Sequence, residues 1–125
     1  MAQHVTVFPS EARTASTNSF DFKNSVENGG LNNVGMLCVI DCTAITSSPS
    51  VVFTIKGKDP TSGKYYTILA SAAIVGTGTT ILRVHPEFTA ATNTVAKDFI
   101  PAVWRIEAVA GNGNSMTYSV GVSLI

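Results

Sequence analysis

The two cysteines are the first residues to consider for chemistry, because a thiolate can act as a nucleophile, a redox centre or a metal ligand. Cys38 and Cys42 lie four residues apart in the segment 34–45, which is predicted to be a strand. Residues i and i+4 of a strand share a face but are ~13 Å apart, whereas a disulfide requires Cα atoms within about 7 Å. His4 and His85 are the only histidines that could complete a zinc site. We therefore expect two buried free thiols, with no metal and no redox role.

Two glycine-containing loops match phosphate-binding motifs only in part. Ser62-Gly63-Lys64 resembles the end of a P-loop, but that motif requires Gly where Lys58 stands and Ser or Thr where Tyr65 stands. The pattern that begins Gly111-x-Gly113 reaches Met116 where a dinucleotide fingerprint requires its third glycine. Both segments are predicted to be hairpin loops.

Hydrolytic chemistry has little support in the residue pattern. Acyl transfer requires a nucleophile, a base and an orienting group, and the chain contains no G-x-S-x-G elbow. His85 directly precedes Pro86 at a predicted strand end, where a solvated histidine is the ordinary interpretation and a Ser or Cys triad the alternative. The eight acidic residues form no D-x-D cluster for calcium or for paired catalytic carboxylates. We predict that the protein is not an enzyme and has no cofactor.

Aromatic and basic side chains are the better candidates for binding. Trp104, Tyr65 and Tyr66 could stack on sugar rings as in carbohydrate-binding modules, but Trp104 lies on the apolar face of its predicted strand, which favours the core. Tyr65 and Tyr66 are adjacent and therefore point to opposite faces, so one of them is expected to be exposed, as aromatic residues at interfaces are.

Lysines surround the same predicted hairpin. They form either a solvated edge that blocks aggregation or a contact for an acidic patch on a partner. The candidate partner interface comprises these lysines, the two tyrosines and three N-terminal phenylalanines: Phe8, Phe20, Phe22, Lys56, Lys58, Lys64, Tyr65 and Tyr66.

The composition limits the partners of this surface. The chain has 125 residues, of which 13% are charged, with eight basic and eight acidic side chains. A net charge of zero argues against nucleic acid, a membrane surface or a polyanionic substrate as partner. The hydrophobic fraction of 45% and a mean hydropathy of +0.27 are unusual for a free monomer. They indicate assembly, which we expect to be a homo-oligomer.

The elements that position these residues are predicted to be strands throughout. Thr, Val and Ile favour pleated sheets, and turn residues separate the segments 34–45, 51–56, 65–71, 79–85, 102–110 and 116–124. Residues 59–63 form the clearest turn, with Asp first, Pro next and Gly last. Segment 87–100 holds either one helical turn or a crossover between sheets. The sequence predicts an all-β protein, an antiparallel β-sandwich of seven or eight strands that is jelly-roll-like or Ig-like.

The N-terminal segment differs from the rest of the chain. Residues 1–33 are predicted to be an arm with possible edge strands, and residues 34–125 the sandwich domain. Within the arm, residues 10–19 are small and polar, typical of a connector or flexible segment. No apolar run approaches the ~18 residues of a membrane span, and the N-terminus lacks a signal-peptide profile. We expect a protein that is kept inside a cell or packaged by one.

Three stretches resemble a family of small virion proteins of tailed bacteriophages. They are I-K-G-K-D-P-T-S-G-K-Y-Y within 52–85, P-A-V-W-R at 101–105, and M-T-Y-S-V-G-V-S-L-I at 116–125. The resemblance does not extend to the segment before residue 34. It implies a structural role, with a capsid decoration (cement) protein as the preferred one.

Such a protein binds the major capsid protein on the outer shell as a dimer or trimer, stabilises the head, and is assembled in the host cytoplasm. A head–tail connector or tail component is the alternative, and a carbohydrate-binding module the third.

Overall fold

The regular elements of the computed structural model are strands. The model describes residues 3–24 and 33–125, and within these ranges it contains ten strands and no helix. Seven of the strands have six or more residues and three have two, in agreement with the seven or eight expected. In chain order they are β1 (Gln3–Arg13), β2 (Thr17–Asn18), β3 (Phe22–Lys23), β4 (Met36–Ile45), β5 (Val51–Lys58), β6 (Tyr65–Ala70), β7 (Gly78–Val84), β8 (Val95–Ala96), β9 (Val103–Ala110) and β10 (Met116–Leu124).

The strands form two sheets that pack face to face, so the predicted β-sandwich is confirmed. The first sheet has the order β1-β10-β4-β7-β8, and the second has the order β2-β9-β5-β6, with β3 also pairing with β9. Every pair is antiparallel except β7 with β8. No helix among the described residues is long and apolar enough to cross a membrane.

The core lies between the sheets and follows the alternation of the strands. In β10 the side chains at 116, 118, 120, 122 and 124 are buried and those between them are partly exposed. Strand β4 alternates in the same way, which buries Cys38 and Cys42 as free thiols, as predicted. The Tyr118 ring packs edge-on against Phe8 and Phe53 at centroid distances of 6.0 and 4.9 Å.

The N-terminal residues are more ordered than the sequence pattern indicated. The prediction of a connector or flexible segment for residues 10–19 is wrong for 10–13, which continue β1 along β10. Irregularities in the register between Thr6 and Phe8 and between Phe8 and Glu11 shift the alternation. Because a bulge moves the side-chain phase by one residue, the strand lacks a clean period of two in its sequence.

The segment 87–100 forms no helix, and residues 91–95 form a single turn in which the Thr94 and Val95 N–H groups both donate to the Ala91 carbonyl. Its two-residue strand β8 lies parallel to β7 at one edge of the first sheet, with Val95 opposite Arg83. At the other edge the chain leaves β1, crosses between the sheets over residues 14–16 and continues along β9. Residues 3–24 therefore border both sheets on the same side of the sandwich.

Candidate functional site

The hairpin between β5 and β6 is built around Asp59. The Asp59 carboxylate accepts hydrogen bonds from the Thr61 N–H at 3.1 Å and the Ser62 hydroxyl at 2.8 Å, and the Gly63 N–H donates to the Asp59 carbonyl at 2.8 Å. Gly63 has φ +74°, a left-handed conformation that glycine adopts without steric cost. The Ser62 hydroxyl, followed by the Thr61 amide, lowers the pKa of Asp59. The predicted turn is thus present, and it places Lys58 opposite Tyr65.

Asp21 joins this hairpin to the N-terminal segment. Its carboxylate accepts hydrogen bonds from the Tyr65 hydroxyl, at 2.7 Å to Oδ1 and 2.9 Å to Oδ2. The Lys58 ammonium lies 3.1 Å from the same Oδ2. The Tyr65 hydroxyl is the largest cause of a lowered pKa for Asp21, with Lys58 adding to it against partial desolvation. The hydrogen bond that the Lys58 ammonium donates to Asp21 in turn raises the pKa of Lys58.

Arg105 extends this cluster across the second sheet. Its guanidinium lies over the Tyr65 ring, 3.6 Å from the centroid, and its Nε donates to Glu107 Oε2 at 2.9 Å. The Lys56 ammonium is 4.0 Å from the other oxygen of Glu107. A planar guanidinium can stack on an aromatic ring and bind a carboxylate at the same time, so Arg105 holds Tyr65 and Glu107 in fixed positions.

A segment that we call the strap, residues 16–24, positions Asp21. The Ser19 N–H donates to the Ile106 carbonyl at 2.9 Å, and the Ser19 hydroxyl accepts from the Ile106 N–H at 3.0 Å. The Ser16 hydroxyl accepts from the Ala110 N–H at 2.9 Å. Asn24 donates its side-chain amide to the Asn33 and Ile100 carbonyls. The serine hydroxyls thus accept hydrogen bonds from backbone N–H groups of β9 at positions where the strap is not a regular strand.

A shallow pocket of about 300 Å³ lies beside Asp21. It is lined by Asp21, Lys23, Lys58, Pro60 and Val103. Lys58 is paired with Asp21, so Lys23 leaves one positive charge in excess among the lining residues, and Pro60 and Val103 contribute apolar surface. A carboxylate side chain on an apolar stem has the chemistry that such a pocket accepts.

Two exposed aromatic residues are chain neighbours of Asp21 and Tyr65. Phe20 is 87% exposed and directly precedes Asp21, and Tyr66 is 47% exposed. The Tyr66 ring lies against Gly57, where a Cβ atom would stand only 2.5 Å from the Tyr66 Cζ. Gly57 is therefore required for this ring position. Tyr66 is the exposed member of the tyrosine pair, as expected for one of the two.

The structure brings together about half of the predicted interface. Lys56, Lys58 and Tyr65 lie on the outward face of the second sheet, and Lys64 lies in the adjoining loop. Phe20 precedes Asp21 in the strap, whereas Tyr66 pairs with Gly57 and lies on the opposite side of β6 from Tyr65.

Phe22 is half-buried and stacks on Trp104, with ring centroids 4.9 Å apart. Phe8 is only 5% exposed, so it is a core residue and not a surface contact. A bulge at Phe8 directs its ring between the sheets, against Tyr118.

Sequence reasoning did not identify four charged residues of the face. Arg105 and Glu107 alternate with apolar residues along β9, and that alternation was sufficient to place them outward. Asp21 and Lys23 had no comparable signal, because the partners of Asp21 are 37 and 44 residues away in the chain. We call the set Asp21, Lys23, Lys56, Lys58, Tyr65, Arg105 and Glu107 the charged face.

Trp104 is fully buried, which confirms the core interpretation. It is therefore not available as a platform for sugar rings. Within residues 3–24 and 33–125, no three His, Cys, Asp or Glu side chains lie close enough to share a metal ion. The charged face combines fixed cations and carboxylates with the Tyr65 ring, and Tyr and Arg are among the residue types enriched at protein interfaces.

Comparison with known proteins finds no family model and no curated protein that matches this chain.

Proposed function

We propose that this protein is a structural virion protein of a tailed bacteriophage, a capsid decoration protein that binds the outer shell through its charged face. The observation that carries the proposal is the preorganised charged face on a rigid all-β scaffold. The partner is then an acidic surface patch of the major capsid protein. The three sequence stretches that resemble virion proteins support the proposed virion role, and the charged face supports the proposed mode of attachment.

The charge balance of the face supports an acidic partner. Lys23, Lys56, Lys58 and Arg105 provide four positive charges against the two carboxylates of Asp21 and Glu107. The whole chain is neutral, so this excess is local. Complementary charge at an interface fixes orientation and accelerates association.

The fixed positions of the side chains in the charged face also support binding. Tyr65 is held by Asp21 on one side and by Arg105 on the other, and Lys58 is held by Asp21. Immobilising one mobile side chain on binding costs about 0.5–1.5 kcal/mol. Side chains that are already fixed lose less conformational entropy when a partner binds. The exposed ring of Phe20, which directly precedes Asp21 in the chain, adds apolar area beside the charges.

The test is co-sedimentation of the protein with purified capsids that lack it, followed by imaging of the occupied particles. We expect saturable binding at symmetry-related positions of the shell. Lys23 is exposed and forms no ion pair with another described residue, so Lys23→Glu changes the face without removing an internal contact. It should weaken binding about tenfold at low salt, as a reversed interfacial charge typically does.

Lys97→Glu is the matched control, because Lys97 is exposed and follows β8 at the edge of the other sheet. It changes the net charge equally and should leave capsid binding unchanged. Equal losses for the two variants would contradict recognition by the charged face. Absence of shell binding, with assembly at the neck or tail instead, would replace the decoration role with the connector or tail role.

A further inference from the structure

The outward face of the first sheet has a different character from the charged face. Its central strands β10, β4 and β7 alternate between core and surface. Their outward positions hold small hydroxyl and aliphatic residues with one acid and one base: Leu37, Val39, Asp41, Thr79, Ile81, Arg83, Thr117, Ser119, Gly121 and Ser123. An open sheet face normally carries alternating polar and charged residues toward water, so this face is unusually poor in charge.

The two charges of this face are placed symmetrically. Gly121, Val39 and Ile81 are paired across β10, β4 and β7 and form one row of residues perpendicular to the strands. Asp41 lies two residues from this row in one direction, and Arg83 lies two residues from it in the other. Each is therefore roughly 6.6 Å from the row along the strands.

Contacts within the chain leave both charges available. The Thr79 hydroxyl donates to Asp41 Oδ1 at 3.3 Å, which confirms that Thr79 and Asp41 share the outward side. Within residues 3–24 and 33–125, neither the Asp41 carboxylate nor the Arg83 guanidinium forms an ion pair. Arg83 is exposed.

A two-fold axis along the row of Val39 and Ile81 makes the face complementary to itself. This axis runs across the strands, and rotation about it reverses their direction. Asp41 of one copy therefore lies at the same height along the strands as Arg83 of the other copy. The Cα atoms of Arg83 in one copy and Asp41 in the other are then displaced by one strand spacing, about 4.8 Å, within the plane of the sheet. The two sheets themselves pack about 10 Å apart. An aspartate and an extended arginine side chain span that distance, and the symmetry produces two such pairs.

We propose that the outward face of the first sheet binds a second copy of this chain, forming a two-fold dimer with Val39 and Ile81 on the axis and Asp41 paired with Arg83 of the other copy. Ser119 and Ser123 are small, whereas Gly121 is bordered by the His4 ring of β1, whose Cε1 lies 3.5 Å from the position of a Cβ atom at residue 121. Burial of this face is consistent with a chain in which only 13% of the residues are charged. The dimer does not depend on the proposed capsid role, because the charged face lies on the opposite side of the sandwich.

The expected strength follows from the size of the face. Four long strands at ~4.8 Å spacing and ~20 Å of strand length give roughly 400 Å² of flat sheet per copy. Side-chain relief raises the accessible area above this flat value, so the two copies together bury close to the lower limit of about 1,000 Å² for specific interfaces. Dimerisation should therefore be measured over a wide range of concentration.

The test is sedimentation velocity of the full chain from about 1 µM to about 200 µM, which covers dissociation constants of moderate interfaces. The unmodified protein should shift from 13.1 kDa to twice that mass. Asp41→Arg and Arg83→Asp each place like charges opposite one another in both pairs. Each should raise the dimer dissociation constant at least tenfold, since like-charge juxtaposition is strongly unfavourable.

The double variant Asp41→Arg/Arg83→Asp restores opposite charges and should return the constant to within about threefold of the original. Its recovery separates a lost contact from a failure to fold. Lys64→Glu, in the hairpin loop on the other side, matches the charge change of Arg83→Asp and should leave the dimer intact. A monomer at all concentrations, a trimer, or a dimer insensitive to both single variants would overturn the proposal.

Discussion

Replacing Ser19 by alanine tests whether the Ser19 hydroxyl anchors the strap to β9. The Ser19 hydroxyl accepts the Ile106 N–H at 3.0 Å and donates to the Phe20 carbonyl at 2.8 Å, and the residue is only 9% exposed. Without the hydroxyl, the buried Ile106 amide has no acceptor at this position. Such a loss costs about 1–3 kcal/mol. For a chain of this length, each kcal/mol lowers the melting temperature by roughly 4 °C.

Ser16→Ala is the matched control, because the Ser16 hydroxyl makes the same kind of bond to the Ala110 N–H at 2.9 Å. Ser16 is exposed, so water replaces the lost acceptor. The expected cost is under about 0.5 kcal/mol, as for other surface substitutions.

The assay is urea unfolding followed by the fluorescence of Trp104, the single tryptophan, together with hydrogen exchange at the Ile106 amide. Ser19→Ala should lower the unfolding midpoint and accelerate exchange at Ile106, and Ser16→Ala should do neither to a comparable extent. Equal effects of the two variants would refute the reasoning, since the larger cost at Ser19 is attributed to the burial of the Ile106 amide.

Three further outcomes are expected. Burial raises the pKa of Cys38 to about 12 and also raises the pKa of Cys42. Both thiols should therefore resist a thiol reagent at about pH 8 in the native protein and react with it in denaturant. A rapid reaction of the native protein would contradict their burial. Since the folded-state pKa of Asp21 lies below its ordinary value of 3.8, its stabilising contribution is present above that pH and is lost as the pH falls through the folded-state value. Urea midpoints measured against pH should therefore decline at the acid end, and less so in Asp21→Asn. Phe22→Ala removes the ring stacked on Trp104 and should cost about 2 kcal/mol, with a red shift of tryptophan emission as water reaches the indole; an unchanged spectrum would count against this packing.

The charged face could be predicted only in part. Lys56, Lys58 and Tyr65 were identified because they surround a turn with a clear sequence signature, Asp59-Pro60-Thr61-Ser62-Gly63. Asp21 was not, because its position is set by the strap, whose contacts to β9 span 87 and 94 residues of chain. Local spacing carries no information about such contacts.

The sequence by itself determined the all-β class, most strand positions and the buried faces. Regular alternation places Trp104 and the two cysteines in the core, because a period of two assigns every second side chain to one side. Only the tertiary structure decided the order of strands in each sheet and the course of β1, whose bulges interrupt its period. It also decided which residues share an outward face, since strands that are distant in the chain lie side by side only after pairing. The charged face and the opposite face of Asp41 and Arg83 both arise in this way.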